Sequence, residues 1–323
     1  MPSRVRRTLT VALAILLALE VTLHLSSARL GEPQFWYAPD AQVIVDGIGR
    51  LVDAGLTSDL VLAGSSMVQF GLRPSQFENE LASIESAHNV GIPKGYTTVM
   101  RRWILEEVEP RLQPDRLVWG LSSLDFNGGR PTPALAGYEA ARAGATGFFG
   151  AADRWLWSVS MTARYRDALR EPQDFLDLLR SDPVVEDAAI DDLLEPTVWP
   201  DVAQTPKTLA DLRTSLLFDF HTGEDHAADF EFTIDALRDA GVEVVVALLP
   251  VSQPYIDAHP GGEVGYQGFI DWLESETSRL GVPLLAYDRS IPEDEFLDYN
   301  HITPDAASVL TGLLASDLRA LGW

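Results

Sequence analysis

The run Asp59-Leu60-Val61-Leu62-Ala63-Gly64-Ser65-Ser66-Met67 decides how the rest of the chain is read. Its unbroken apolar stretch lacks the alternation of a half-exposed strand and is too short for a helix. It therefore reads as a strand buried on both faces of a parallel sheet. The glycine that ends it lets the backbone turn sharply, which presents Ser66 at the strand's carboxyl end, where open α/β sheets hold their sites.

Comparable runs recur at 83–90, 116–121, 242–249 and 282–286. Helical patterns separate them at 97–108, 230–240, 266–280 and 304–321, and an amphipathic stretch at 41–56 precedes them. Strands alternating with helices predict a three-layer α/β/α, doubly wound parallel sheet. The interval from about 131 to 227 breaks the rhythm, with Trp155, Trp157 and Trp199 and an acidic segment at 182–195. It reads as a helical insertion between the third and fourth strands. Its structural role is a lid, and its aromatics also suit the face of a sugar or an acyl chain.

Composition narrows the chemistry. The 323 residues hold 24 Lys plus Arg against 48 Asp plus Glu, a formal charge of −24, and no cysteine. Such a chain repels phosphate and supplies no basic face for nucleic acid. Without cysteine there is no disulfide, thiolate nucleophile or thiolate metal site. No Gly-x-Gly-x-x-Gly or P-loop is present, and no cofactor or metal is expected. His221, Glu224, Asp225 and His226 lie close together but read as a solvated turn in so acidic a chain. Arg101 and Arg102 read as a solvated helix face.

The charge is uneven. Arg4, Arg6 and Arg7 precede 8–25, an 18-residue stretch whose ionisable members are Glu20 and His24. This predicts a cytoplasmic tail at 1–7, a transmembrane signal anchor at 8–25, a juxtamembrane linker and helix at 26–57, and an extracytoplasmic domain at 58–323. A cleaved signal peptide ending near Ser26-Ser27-Ala28 is the alternative, and it gives a secreted protein. Phe35-Trp36-Tyr37 suits the headgroup interface. Glu20 reads either as a tolerated polar residue or as a contact for a membrane partner. Past residue 30, 20 basic residues face 47 acidic ones, so the outer part carries −27.

Asp298-Tyr299-Asn300-His301 stands just before Ile302-Thr303-Pro304, where Thr303 is placed as helix N-cap and Pro304 as first helical residue. His301 is thus held in a loop, where an aspartate three residues earlier can fold onto the ring. Glu85 and His88 share that spacing, but on a strand they point to opposite faces. Pro250-Val251-Ser252-Gln253-Pro254 reads as a turn after the fourth strand, at the rim of the site.

A Gly-x-Ser after the first strand with Asp-x-x-His before the last helix resembles the SGNH (GDSL-like) hydrolases, over about residues 58–127 and 231–323. The resemblance is to their membrane-anchored cell-envelope branch, which includes the alginate O-acetylation accessory proteins and the lipoteichoic-acid D-alanylation protein. It implies a flavodoxin-like fold with a catalytic triad of Ser66 as nucleophile, His301 as base and Asp298 as its orienting acid. Asn89-Val90-Gly91-Ile92-Pro93-Lys94-Gly95 resembles the second block, making the N–H groups of Ser66 and of Gly91 or Gly95 the oxyanion donors. The third block's Gly-x-Asn-Asp is replaced by Gly120-Leu121-Ser122-Ser123, leaving Ser122, or Asn127 reaching back, in place of the amide. The resemblance implies O-acyl transfer or ester hydrolysis on an acylated envelope glycan or other acyl donor, beside a membrane-bound O-acyltransferase. The alternatives are a secreted-side esterase or lipase, and a non-catalytic glycan-binding or partner protein that keeps the fold.

Overall fold

Parallel pairing organises the sheet, strand by strand in the order β2-β1-β3-β4-β5. The strands are β1 (Leu60–Gly64), β2 (Ala87–Asn89), β3 (Arg116–Leu121), β4 (Glu243–Leu248) and β5 (Leu284–Ala286). This computed structural model describes residues 3–30, 39–129, 160–164 and 203–323. The Phe35-Trp36-Tyr37 cluster, the three insertion tryptophans and the acidic segment lie outside the described residues.

β1 is an interior strand and wholly buried, paired with β2 on one side and β3 on the other. The second strand is shorter than the apolar run predicts. The carboxylate of Asp59 accepts the N–H groups of Glu85 (2.7 Å) and Ser86 (3.0 Å), so these residues serve a turn rather than a ladder. The fifth starts late for a similar reason: the Val282 N–H bonds Thr277 O and closes the end of the preceding helix, and Pro283 follows.

Helices pack by their apolar stripes. In the described part of the helix at Pro39–Asp53 these are Ile44, Ile48 and Leu51; in Glu224–Asp239, Phe230, Ile234 and Leu237; in Pro304–Ala320, Leu310, Leu314 and Leu318. Each fully buried side chain of this size contributes about 1.5–3 kcal/mol. The helix expected at 97–108 is regular only over Thr97–Arg102, then widens into a π turn over Trp103–Val108. Pro110 lacks an N–H, so the carbonyl of Glu106 loses its usual partner and the turn before it relaxes.

The chain forms two compact units. The first comprises Met1–Pro39 and Ala136–Ala188, the second Asp40–Leu135 and Ala189–Trp323. In the first, a helix runs over Ser3–Leu30, covering the predicted anchor. Among the described residues no helix is long and apolar enough to cross a membrane. Glu20 meets its own chain: its carboxylate accepts hydrogen bonds from Ser160 Oγ (2.9 Å), Thr162 N (2.9 Å) and Thr162 Oγ1 (2.7 Å), at the start of a helical turn over Met161–Arg164.

Candidate active site

Ser66 opens α1, the short helix Ser66–Gly71 that follows β1 directly. So abrupt a start needs glycine on both neighbouring strands. Gly64 lies opposite Gly120, and a Cβ on either would overlap Val68 in the first turn of α1. Ser65 is the N-cap, its Oγ accepting from Met67 N at 3.4 Å. Ser66 is left at the first helical position, where its N–H has no acceptor within the helix.

Asp298 and His301 sit in a closed loop ahead of α2 (Pro304–Ala320). Phe296 and Ile302 form an antiparallel bridge, and Leu297 N donates to His301 O at 2.7 Å. Thr303 caps α2, accepting from Ala306 N at 3.2 Å, with Pro304 at the first turn as expected. The Asp298 Oδ1 accepts the N–H groups of Asn300 (2.9 Å) and His301 (2.8 Å). Its Oδ2 lies 2.8 Å from His301 Nδ1, and His301 Nε2 lies 2.9 Å from Ser66 Oγ. Because an ionised carboxylate only accepts, Nδ1 carries the proton and Nε2 presents its lone pair to the serine hydroxyl. Burial alone would raise the Asp298 pKa, but the bonds from His301 and Asn300 outweigh it and hold the carboxyl below its usual range. The Phe70 ring stands edge-on to the imidazole, with centroids 6.2 Å apart. The structure thus brings Ser66, His301 and Asp298 into one hydrogen-bonded line.

The expected oxyanion donors are arranged differently. Gly91 N donates to Asn89 Oδ1 (3.0 Å), and Gly95 N to Ile92 O (3.2 Å). Ser122 directs both its N–H (2.6 Å) and its hydroxyl (3.2 Å) at Asp125 Oδ2. Asn127 does not reach back: its amide donates to Leu216 O at 2.6 Å, and its Oδ1 accepts from Gly129 N. In the second-block loop Ile92 N bonds Gly64 O and Pro93 has no N–H, so among the described residues the Lys94 N–H is the donor left unengaged.

Asn89 escaped the sequence reading as an anchor. Its side-chain amide donates to the carbonyls of Val68 (2.8 Å), Gln69 (3.3 Å) and Leu72 (3.0 Å), fixing the far end of α1. A second serine–histidine pair also went unseen. Ser123 Oγ lies 2.8 Å from His259 Nε2 and 2.7 Å from Tyr255 Oη, and Leu124 N donates to that phenol at 3.1 Å. All three side chains are buried, and burial pushes His259 down to about 4, so it stays neutral. Ser252, in the turn after β4, sends its N–H (3.0 Å) and hydroxyl (2.9 Å) to Tyr299 O, tying that turn to the His301 loop. The signal available in sequence was Ser252 one residue ahead of Gln-Pro, an N-cap pattern.

Other expectations shift. Arg101 is not merely solvated: it pairs with Asp229 and lies 4.1 Å over the Phe232 ring. His226 is buried in the first turn of its helix, whereas His221 is exposed with Nδ1 3.0 Å from Asp219 O. His88 is buried beside Ser58 Oγ at 2.9 Å.

No family model matches the chain, and no curated protein matches it. Among solved structures it is similar to the acetyl xylan esterase AlAXEase, at 10% identity and a TM-score of 0.41 over 80% of this chain and 98% of that one. It is similar to an inhibitor-bound aryl esterase of M. smegmatis, at 11% identity and a TM-score of 0.40 over 82% and 100%. A carbohydrate acetylesterase from Sinorhizobium meliloti aligns at 10% identity with a TM-score of 0.39, over 82% of this chain and 100% of that one.

Proposed function

We propose that this chain is a serine acyl-ester enzyme of SGNH type, acting through Ser66, His301 and Asp298 on an ester-bearing carbohydrate of the cell envelope. The carrying observation is the unbroken line from Ser66 Oγ through His301 to Asp298, at 2.9 and 2.8 Å. Nε2 takes the hydroxyl proton as Oγ attacks the ester carbonyl, and Asp298 stabilises the imidazolium. Collapse of the tetrahedral adduct expels the alcohol, which takes the proton back from His301 and leaves an acyl group on Ser66. The unengaged N–H groups of Ser66 and Lys94 serve the oxyanion. Water as second acceptor gives hydrolysis, and a sugar hydroxyl gives transfer beside a membrane-bound O-acyltransferase.

The membrane location rests on the arginines ahead of the apolar stretch at 8–25. Full-length protein should sediment with membranes, and a variant lacking residues 1–38 should not.

The engagement of Gly91, Gly95 and Ser122 elsewhere favours a second reading, a non-catalytic partner protein. Turnover of 4-nitrophenyl acetate with mass spectrometry of the Ser66 peptide separates the two. The catalytic reading expects an acyl or fluorophosphonate adduct on Ser66, and at least about a 1000-fold loss of turnover in Ser66→Ala and His301→Ala. Wild type without adduct or turnover would leave the partner role standing.

A further inference from the structure

The buried hydrogen bonds around Tyr255 run in one direction. The Tyr255 carbonyl only accepts, so His259 Nδ1, 3.1 Å away, carries the ring proton and Nε2 is left as an acceptor. Nε2 takes the Ser123 hydroxyl proton at 2.8 Å, Ser123 Oγ takes that of the Tyr255 phenol at 2.7 Å, and the phenol oxygen accepts Leu124 N–H at 3.1 Å. Every donor in this chain has its acceptor. Ser123 is fully buried and its oxygen is occupied by the phenol, so this serine–histidine pair is no second nucleophile.

What the network joins is the two sides of the candidate site. Ser123 and Leu124 follow β3, which pairs with β1 so that Gly120 lies opposite Gly64, two residues before Ser66. Tyr255 belongs to the short helix Gln253–Asp257, whose N-cap Ser252 sends its N–H and hydroxyl to Tyr299 O at 3.0 and 2.9 Å. Tyr299 stands between Asp298 and His301 in the chain, and its ring is stacked on that of Tyr255, with centroids 6.4 Å apart and 28° between the planes. The loop bearing Asp298 and His301 follows β5, at the edge of the sheet, and β4 and β3 lie between that strand and β1. One short helix therefore links the end of β3 to the loop that must reach across to the serine.

We propose that Tyr255 is a positioning residue of the acyl-ester reaction: its hydroxyl, acting through the helix Gln253–Asp257 and Ser252, holds the His301 loop at the distance from Ser66 that proton transfer needs. The inference rests on the acyl-ester reading of Ser66 and adds what keeps its base in reach.

Tyr255→Phe removes the hydroxyl and keeps the ring, and Ser252→Ala cuts the other end of the same link. Turnover of 4-nitrophenyl acetate is to be measured per folded molecule, with the folded fraction read from near-ultraviolet circular dichroism. Each variant is expected to lower kcat at least about tenfold, since misplacing reacting groups by about an ångström can cost about 100-fold. KM should stay within about twofold of wild type, because His301 serves acylation and deacylation alike and both slow together. The double variant should lose little more than either single one, as two cuts in one link do. A role confined to stability would lower the melting temperature and leave kcat per folded molecule at the wild-type value, which overturns the proposal. Losses that multiply in the double variant overturn it too. The serine reading fails by a different sign, turnover by Ser66→Ala at the wild-type rate, and takes the positioning role with it.

Discussion

Two buried carboxylates, Asp298 and Asp125, are treated in opposite ways by their surroundings. Asp298 receives two N–H groups and an imidazole and is held charged. Asp125 receives only the N–H and hydroxyl of Ser122, burial dominates, and its pKa is pushed up to about 7. Between about pH 4 and 7 the unfolded chain has released the Asp125 proton while the folded chain keeps it. Stability therefore falls by up to about 1.4 kcal/mol per pH unit across that window. His259 acts with the opposite sign. Its pKa, lowered to about 4, makes stability rise with pH from about 4 to 6.5 and disappear on acidification. The two slopes offset each other in the native protein. Asp125→Asn should uncover the histidine, so its stability relative to wild type climbs from pH 5 to pH 8 in urea unfolding. Parallel curves for variant and wild type would contradict the assignment.

The element that matters most is α1, held at its start by the Gly64–Gly120 pair and at its end by Asn89. Asn89→Ala removes the amide donor from the carbonyls of Val68, Gln69 and Leu72, of which Val68 O keeps the Leu72 N–H, and takes the acceptor from the Gly91 N–H, a loss of about 2–4 kcal/mol. Thermal unfolding should drop accordingly, and kcat should fall because the turn bearing Ser66 and the loop bearing Lys94 loosen together. Unaltered kcat in a folded Asn89→Ala variant would show that the anchor does not position the site. Lys94→Gly acts in the other direction, gaining about 1 kcal/mol by removing a side chain from a positive φ. These elements also show what could be read from sequence. β1 with its serine, and the Asp-x-x-His loop with its N-cap, follow from local patterns that no distant contact overrides. The oxyanion donors do not. Gly91 and Gly95 looked free in one dimension, and only the folded position of Asn89 and Ile92 shows that their N–H groups are engaged. Ser123, Tyr255 and His259 were invisible for the same reason, since 132 and 136 residues separate the serine from its partners.

At the scale of the molecule, every strand pair among the described residues is parallel, so none of them is a hairpin and each pairing closes a long loop. The triad is the extreme case, with 235 residues between Ser66 and His301. On the proposed acyl-ester reading, turnover of 4-nitrophenyl acetate should return on refolding with the slowest phase, after the fluorescence of the buried Trp103 and Trp119 has begun to recover. Activity preceding the tryptophan signal would mean that the site forms without its sheet. The same separation has a consequence in time. A ribosome adds about 5–20 residues per second, so roughly 12–47 s pass between the making of the serine and the making of its base. Throughout that interval the nascent chain carries an ordinary, unactivated hydroxyl. On the proposed acyl-ester reading, such a chain does no acyl chemistry while it is being made, and the order of its residues serves as a built-in delay.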